Sequence, residues 1–434
     1  MQTNWKNVFF MFWKIDHKYY NSVLLLLLAT VMITLLSGNI WLNSISVYPL
    51  AVFGILHFKG RDFANKFLKS GFAVCCLLFF LLHVLQLFMD VPEKMQIFEI
   101  EKKIGFAVIP VILLLLDPVA VRIKEKLLEI CVAFLALMFA FLITAAFIRF
   151  IQTGNSSEFF YHQLVSPLHH NAVYLSAYTG ILLLWLIYSL SISQQSIVKI
   201  FLIVILYCFL ILLASKTIIA ATTVVILFEV TRKSFISINK RKYYYSIGIL
   251  LLVLTIIFFT PNPLSNRFKE IQATDMSLLK KEQYATDMYF NAVQFRLIAW
   301  KFSFQLVNEK AGYITGVGAG NAQPLLNQKY KQAKMYVGES EKEPGGYLNF
   351  NSHNQFIQTY LQTGIVGLLL LLLMLFFYFR EAFIQKNRML FYSGLIITLF
   401  FLSESVLEGQ LGMLLFLFVP KLFYTSTLED HKTS

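Results

Sequence analysis

Charge is scarce in this chain. Only 14% of its 434 residues are Asp, Glu, Lys or Arg, where an ordinary soluble domain carries about 25%, so a free-standing globular protein is excluded. Cysteine is almost absent. The four present, Cys75, Cys76, Cys131 and Cys208, all fall inside apolar runs, which leaves no disulfide framework and no thiolate metal site to read. Alternation of apolar and polar residues is missing from those runs (Leu24 to Leu28 and Leu368 to Leu373 are solid), and this excludes a β-barrel. No D-x-D pair occurs anywhere, so the carboxylate pair that commonly holds a divalent ion is not available. Neither metal nor cofactor is expected. No small-residue cleavage motif follows the first apolar run, which therefore reads as an uncleaved span.

What is present in quantity is hydrocarbon. Hydrophobic residues make up 57% of the chain, 43 of them Phe, and mean hydropathy is +0.65. Apolar runs of about 16 to 25 residues recur, the length that crosses a bilayer as a helix. They lie near 21–36, 40–57, 72–90, 104–121, 127–150, 170–190, 197–214, 217–231, 245–260, 355–379, 389–403 and 408–425. The expected fold is all-α: a polytopic membrane helix bundle of about 12 transmembrane helices with one large periplasmic loop containing short helices. Residues 1–261 would hold helices one to nine, 262–354 the loop, and 355–434 the last three helices and a short cytoplasmic tail.

Placing both termini in the cytoplasm puts most basic residues inside: Lys66, Lys69, Arg122, Lys124, Lys126, Lys199, Arg232, Lys233, Arg380, Lys386 and Arg388 among them. The net charge of +13 is explained by this anchoring, and nucleic acid is not an expected partner. Within the loop, Ala285 to Asn308 reads as an amphipathic helix carrying Arg296 and Trp300. A second short helix is expected near Ala322 to Ala333.

The polar tetrapeptide Asn351-Ser352-His353-Asn354 opens the tenth span. Asn351 or Ser352 could cap the helix, whose N-terminus favours anions. His353 there is either a general base or part of a cap. Arg296 is either a bidentate phosphate ligand or a solvated headgroup contact. Lys216 sits between two spans joined by almost no loop, at an outer edge where a cation either meets an anionic partner or snorkels to the outer headgroups. His169-His170-Asn171 opens another outer span. His170 either contacts substrate or caps the helix. Glu404 and Glu408 flank the last outer turn and either pair with Arg296 or Lys216, or orient a histidine, or are simply carboxylates at headgroup level. Asp117, Glu129 and Glu229 read as structural partners of nearby basic residues, and His83 as a hydrogen-bonded bundle residue. Gly316-x-Gly318-x-Gly320 is a poor nucleotide loop, since no strand precedes it. It reads as a turn for close packing or a small N–H nest.

Arg296-x-x-x-Trp300, then Gly316-Val-Gly318-Ala-Gly320, then His353-Asn354 with Gly364 and Gly367 behind it, resembles the O-antigen ligase and O-antigen polymerase superfamily. So do His170 at the sixth span and the closing Glu404-Ser-Val-Leu-Glu408-Gly-Gln-Leu-Gly412. The resemblance implies an inverting, metal-independent glycosyltransferase in the bacterial inner membrane. It implies a glycan donor on undecaprenyl pyrophosphate and an acceptor hydroxyl, on lipid A–core for a ligase or on a second lipid-linked repeat for a polymerase. Carried over, His353 would act as base and Arg296 would hold the pyrophosphate. A Ser-Arg pair common in the family is Ser215-Lys216 here, which keeps the charge without the guanidinium fork. Arg267 would add a further outer cation. A transporter of lipid-linked sugars is the rival class, predicting midplane ionisable groups and paired broken spans.

Overall fold

A computed structural model describes residues 17–58, 63–89, 93–116, 119–189, 197–236, 275–338 and 346–424. Among these residues the chain is helical and has no strand. The elements in order are α1 (His17–Leu36), α2 (Ile40–His57), α3 (Phe63–Lys69), α4 (Gly71–Leu85), α5 (Glu93–Lys103), α6 (Gly105–Leu115), α7 (Val121–Thr153) and α8 (Tyr161–Val165). Then come α9 (Ala172–Ser189), α10 (Ile197–Leu212), α11 (Lys216–Ile236), α12 (Ala292–Glu309), α13 (Ala319–Gln332), α14 (Gln355–Ile384), α15 (Arg388–Ser403) and α16 (Gln410–Leu417).

Six of these are long and apolar enough to cross a membrane: α1, α2, α4 with the turn that follows it, α7, α9 and α14. The helices α10, α15 and α16 are apolar but shorter. The expected span at 245–260 lies outside the described residues, as does Arg267. The α9 helix is the hub, for 78% of its apolar window is buried against 28–44% in the other five. Its neighbours include α10, α11 and α15.

A buried carboxylate fixes the direction of two helices. Glu229 on α11 takes hydrogen bonds from Arg388 (2.8 Å) and Tyr392 (2.7 Å) at the start of α15, and from Arg232 (2.9 Å). That bears out the structural pairing expected for Glu229. Glu129 makes no ion pair among the described residues, and Asp117 lies outside them. Running back from Glu229, α11 reaches Lys216 after about 20 Å. Running on from Tyr392, α15 reaches Glu404 after about 18 Å. Lys216 and Glu404 therefore stand at one end of the bundle and at a similar depth.

The α14 helix is broken. Gly364 has φ +64° and ψ −160°, which interrupts the helical ladder. The loop before α13 fills the gap: Val317 N–H donates to Leu361 O (2.9 Å) and Gly318 N–H to Gln362 O (3.2 Å), while Ile365 N–H donates to Tyr313 O (2.9 Å). A β-carbon on Gly316 or on Gly364 would collide with backbone across this contact. The glycine motif is thus a close-packing device. It is not an anion nest, because the N–H groups of Ala319 and Gly320 are taken by Gln86 and Gln96 (3.0 Å each).

A second, smaller core lies over this end. It contains Phe295, Ile298, Phe302 and Leu306 of α12, Leu326 and Tyr330 of α13, and Leu361 of α14. The α12 helix starts at Ala292, later than expected, because Asn291 and Gln294 form a capping box that sets the boundary. Met288 is consequently not on it. The α13 helix starts earlier than expected, at Ala319.

Candidate functional site

The end of α12, the tetrapeptide before α14 and the turn after α15 meet at one place. Arg296 leaves α12 one turn past its cap. Its Nη2 donates to Glu404 Oε1 (2.9 Å), its Nε to Ser403 O (3.2 Å) and its Nη1 to Ala292 O (3.1 Å). Three of its five N–H groups are used, so two remain. Glu404 Oε2 lies 2.7 Å from His353 Nδ1. A carboxylate only accepts, so the neutral imidazole carries its proton on Nδ1 and presents Nε2 as an acceptor. Among the described residues Nε2 has no partner. The side chains of Arg296, His353 and Glu404 are 27%, 22% and 18% exposed, which leaves the group accessible at its rim.

Burial acts to raise the Glu404 carboxyl, but the His353 hydrogen bond and charge and the Arg296 contact outweigh it and hold it below its ordinary value. Glu404 is therefore ionised at neutral pH.

The backbone around His353 is specified residue by residue. Asn351 Oδ1 accepts from His353 N (2.9 Å), and Ser352 Oγ donates to Gln358 Oε1 (2.7 Å). Neither is left to cap α14. Asn354 is the cap, accepting from Phe356 and Ile357 N–H, which corrects the expectation for Asn351 or Ser352. Trp300 Nε1 donates to Ser352 O (2.8 Å), so the Arg296–Trp300 spacing lets one face of α12 hold both Glu404 and the tetrapeptide backbone. His353 itself has φ +45°, an uncommon left-handed conformation that turns its ring between Phe295 and Phe350 (centroids 5.9 and 5.7 Å).

A second polar group adjoins the first. Lys103, wholly buried, donates to Glu408 Oε1 (2.9 Å) and Leu407 O (2.8 Å). Gln362 on α14 donates to Glu408 Oε2 (2.9 Å). Burial would raise Glu408, but Lys103 and Gln362 keep it lowered. Burial and then Glu408 raise the neighbouring Glu99. Tyr174 of α9 donates to Val406 O (3.4 Å) and lies within electrostatic reach of both Glu404 and Glu408.

The structure thus joins His353 to Arg296 through Glu404, and sets Glu408 beside them through the short 404–408 turn. Lys216 opens α11 at the same end, two residues after Ala214 at φ +52°. His170 is apart: it is 5% exposed, its ring lies against Gly38, and burial lowers its basicity. Asn171, not His170, accepts the first N–H groups of α9. His83 donates to or accepts nothing in the site and bonds Phe79 O (2.8 Å). Lys103 and Gln362 were not singled out in the sequence. The doubled Lys102-Lys103 ahead of an apolar run was the available signal for the first.

Residues 168–372 match the family model described as O-Antigen ligase. The match takes in His170, Lys216, Arg296 and His353 and stops short of Glu404 and Glu408. No curated protein sequence matches the chain.

Proposed function

As this chain belongs to the O-antigen ligase and polymerase superfamily of membrane glycosyltransferases, we propose that it transfers a glycan from undecaprenyl pyrophosphate to a hydroxyl of lipid A–core. The transfer would take place on the periplasmic face. The observation that carries this reading is the Arg296–Glu404–His353 constellation, with Nε2 of the histidine open to an incoming group.

The donor sugar is already activated, so the protein has two tasks. His353 Nε2 takes the proton of the acceptor hydroxyl as that oxygen bonds the anomeric carbon. The bond from that carbon to the pyrophosphate oxygen breaks on the opposite face. Its electron pair leaves with undecaprenyl pyrophosphate, and configuration inverts. Glu404 holds the ring and stabilises the imidazolium formed. The two remaining N–H groups of Arg296, with Lys216 and Arg267, oppose the charge that develops on the leaving group. Glu408, held by Lys103 and Gln362, would support the wall of the surrounding pocket. No step requires a metal.

The test is transfer by the purified protein from a polyprenyl-pyrophosphate glycan to lipid A–core in excess EDTA. His353→Ala should lower the rate by about 10²- to 10⁴-fold with the protein still folded. Activity lost to chelator, or retained by His353→Ala, overturns the mechanism. Product growing on the carrier assigns a polymerase instead. Passage of unchanged donor across the membrane assigns a transporter.

A further inference from the structure

The bundle has a cavity at the end away from His353. Its volume is about 390 Å³, within the range of sites that enclose an organic ligand. From Gln86 back to Gly71 along α4, and from Gln362 on to Phe377 along α14, it lies about 22 Å from the polar group of Glu408. The interior is apolar, lined by Leu114, Phe377 and Phe416. The mouth is basic. Lys66 and Lys69 of α3, Arg380 of α14 and Lys421 converge on it, against the carboxylate of Glu381, the single one among the described lining residues.

Lys66 and Lys69 also offset the dipole at the end of α3. That does not account for Arg380 and Lys421, which come from other elements to the same opening. Lys66, Lys69 and Arg380 are exposed and make no ion pair among the described residues. Lys421 lies over the Tyr424 ring at 4.1 Å. Glu381 accepts from Gln385 (2.8 Å), so it is turned toward its own helix.

We infer that this cavity holds an anionic phospholipid, its acyl chain among Leu114, Phe377 and Phe416 and its phosphate at the mouth formed by Lys66, Lys69, Arg380 and Lys421. A free phosphate would use the cations and leave the apolar interior empty. A zwitterionic lipid would fill the interior and leave the charge imbalance. The anionic lipid satisfies both, as basic pockets between membrane helices do. The site is independent of the sugar-transfer reading: its basic mouth lies about 22 Å from the polar group of Glu408, so these cations do not serve a pyrophosphate held beside His353.

The test uses the full chain, exchanged in detergent against phosphatidylglycerol or phosphatidylcholine and examined by native mass spectrometry for retained lipid. The expected result is preferential retention of phosphatidylglycerol. Each cation is worth about a fivefold change in binding, so Lys66→Ala/Lys69→Ala/Arg380→Ala should lower that preference by more than about tenfold. These side chains are exposed, and the variant should elute with the wild-type profile. Leu114→Trp, which fills the interior, should exclude both lipids. Equal retention of the two lipids by the wild type, or an unchanged preference in the triple variant, overturns the inference. Displacement of the lipid by millimolar inorganic phosphate overturns the lipid as occupant.

Discussion

Glu404 is the residue on which the site turns, since it is shared by a cation and an imidazole that come from different segments. Its carboxyl titrates below its usual value of 4.5. A group lowered in this way adds stability above its unfolded value and loses it as pH falls through the folded one. The contacts should therefore be intact from about pH 5 upward and fail only in stronger acid. Measured melting temperature against pH should show an acid limb below about pH 4.5 that flattens in Glu404→Gln. That variant should also transfer sugar more slowly, with kcat falling and KM nearly unchanged, because it loosens the base and not the substrate. Arg296→Lys should be worse than its conserved charge suggests. A lysine cannot reach Glu404 and Ser403 O with a planar fork. Of these parts, His353 was legible as sequence, because polar residues at the mouth of an apolar run stand out, and Arg296 was legible through the Arg296-x-x-x-Trp300 resemblance. Glu404 was legible only as an alternative, since nothing in linear order says which of several cations a carboxylate will meet.

At the scale of elements, two arrangements explain why the site holds its shape. The first is the loop 313–318 seated in the break of α14. Gly316→Ala and Gly364→Ala should each destabilise the protein strongly, by about 2 kcal/mol or more, because the added carbon meets backbone and both residues have positive φ. A lowered melting temperature in detergent checks this, and an unchanged one contradicts the docking. The second is the buried pair Lys103–Glu408. Removing one partner leaves an uncompensated charge, so Lys103→Met should cost about 3–5 kcal/mol. Lys103→Met with Glu408→Met should recover much of that loss. The helices themselves were easy to anticipate, because an apolar run long enough to cross lipid has few other options. Their ends were not. Asn291 and Asn354 set the starts of α12 and α14 by side-chain hydrogen bonds, and several Asn and Ser nearby could have served equally.

At the scale of the whole molecule, the bundle has two chemically different ends. One gathers His353, Glu404 and Arg296, and the other gathers the basic mouth around Arg380. If the sugar-transfer end faces the periplasm, an impermeant thiol reagent should label Lys310→Cys in intact cells and Lys386→Cys only after the membrane is opened. The reverse pattern would invert the topology and remove the donor from reach. That orientation is the one expected from the distribution of Lys and Arg along the sequence, and the labelling is its test. The convergence of α12, α14 and the 404–408 turn was not readable, because it depends on contacts between residues 51 to 108 positions apart, which no local pattern records.

The seating of the glycine loop in the α14 break also limits how the molecule can be divided. Leu361 belongs to the same small core as Phe295 and Tyr330, and the carbonyls before Gly364 and before Gly316 accept from the N–H groups that follow the other glycine. The small core of α12 and α13 therefore has its floor inside α14, a helix long and apolar enough to cross a membrane. Cut free of that helix for expression in water, it would open a greasy underside and a row of unanswered amides, and would clump where the intact chain does not.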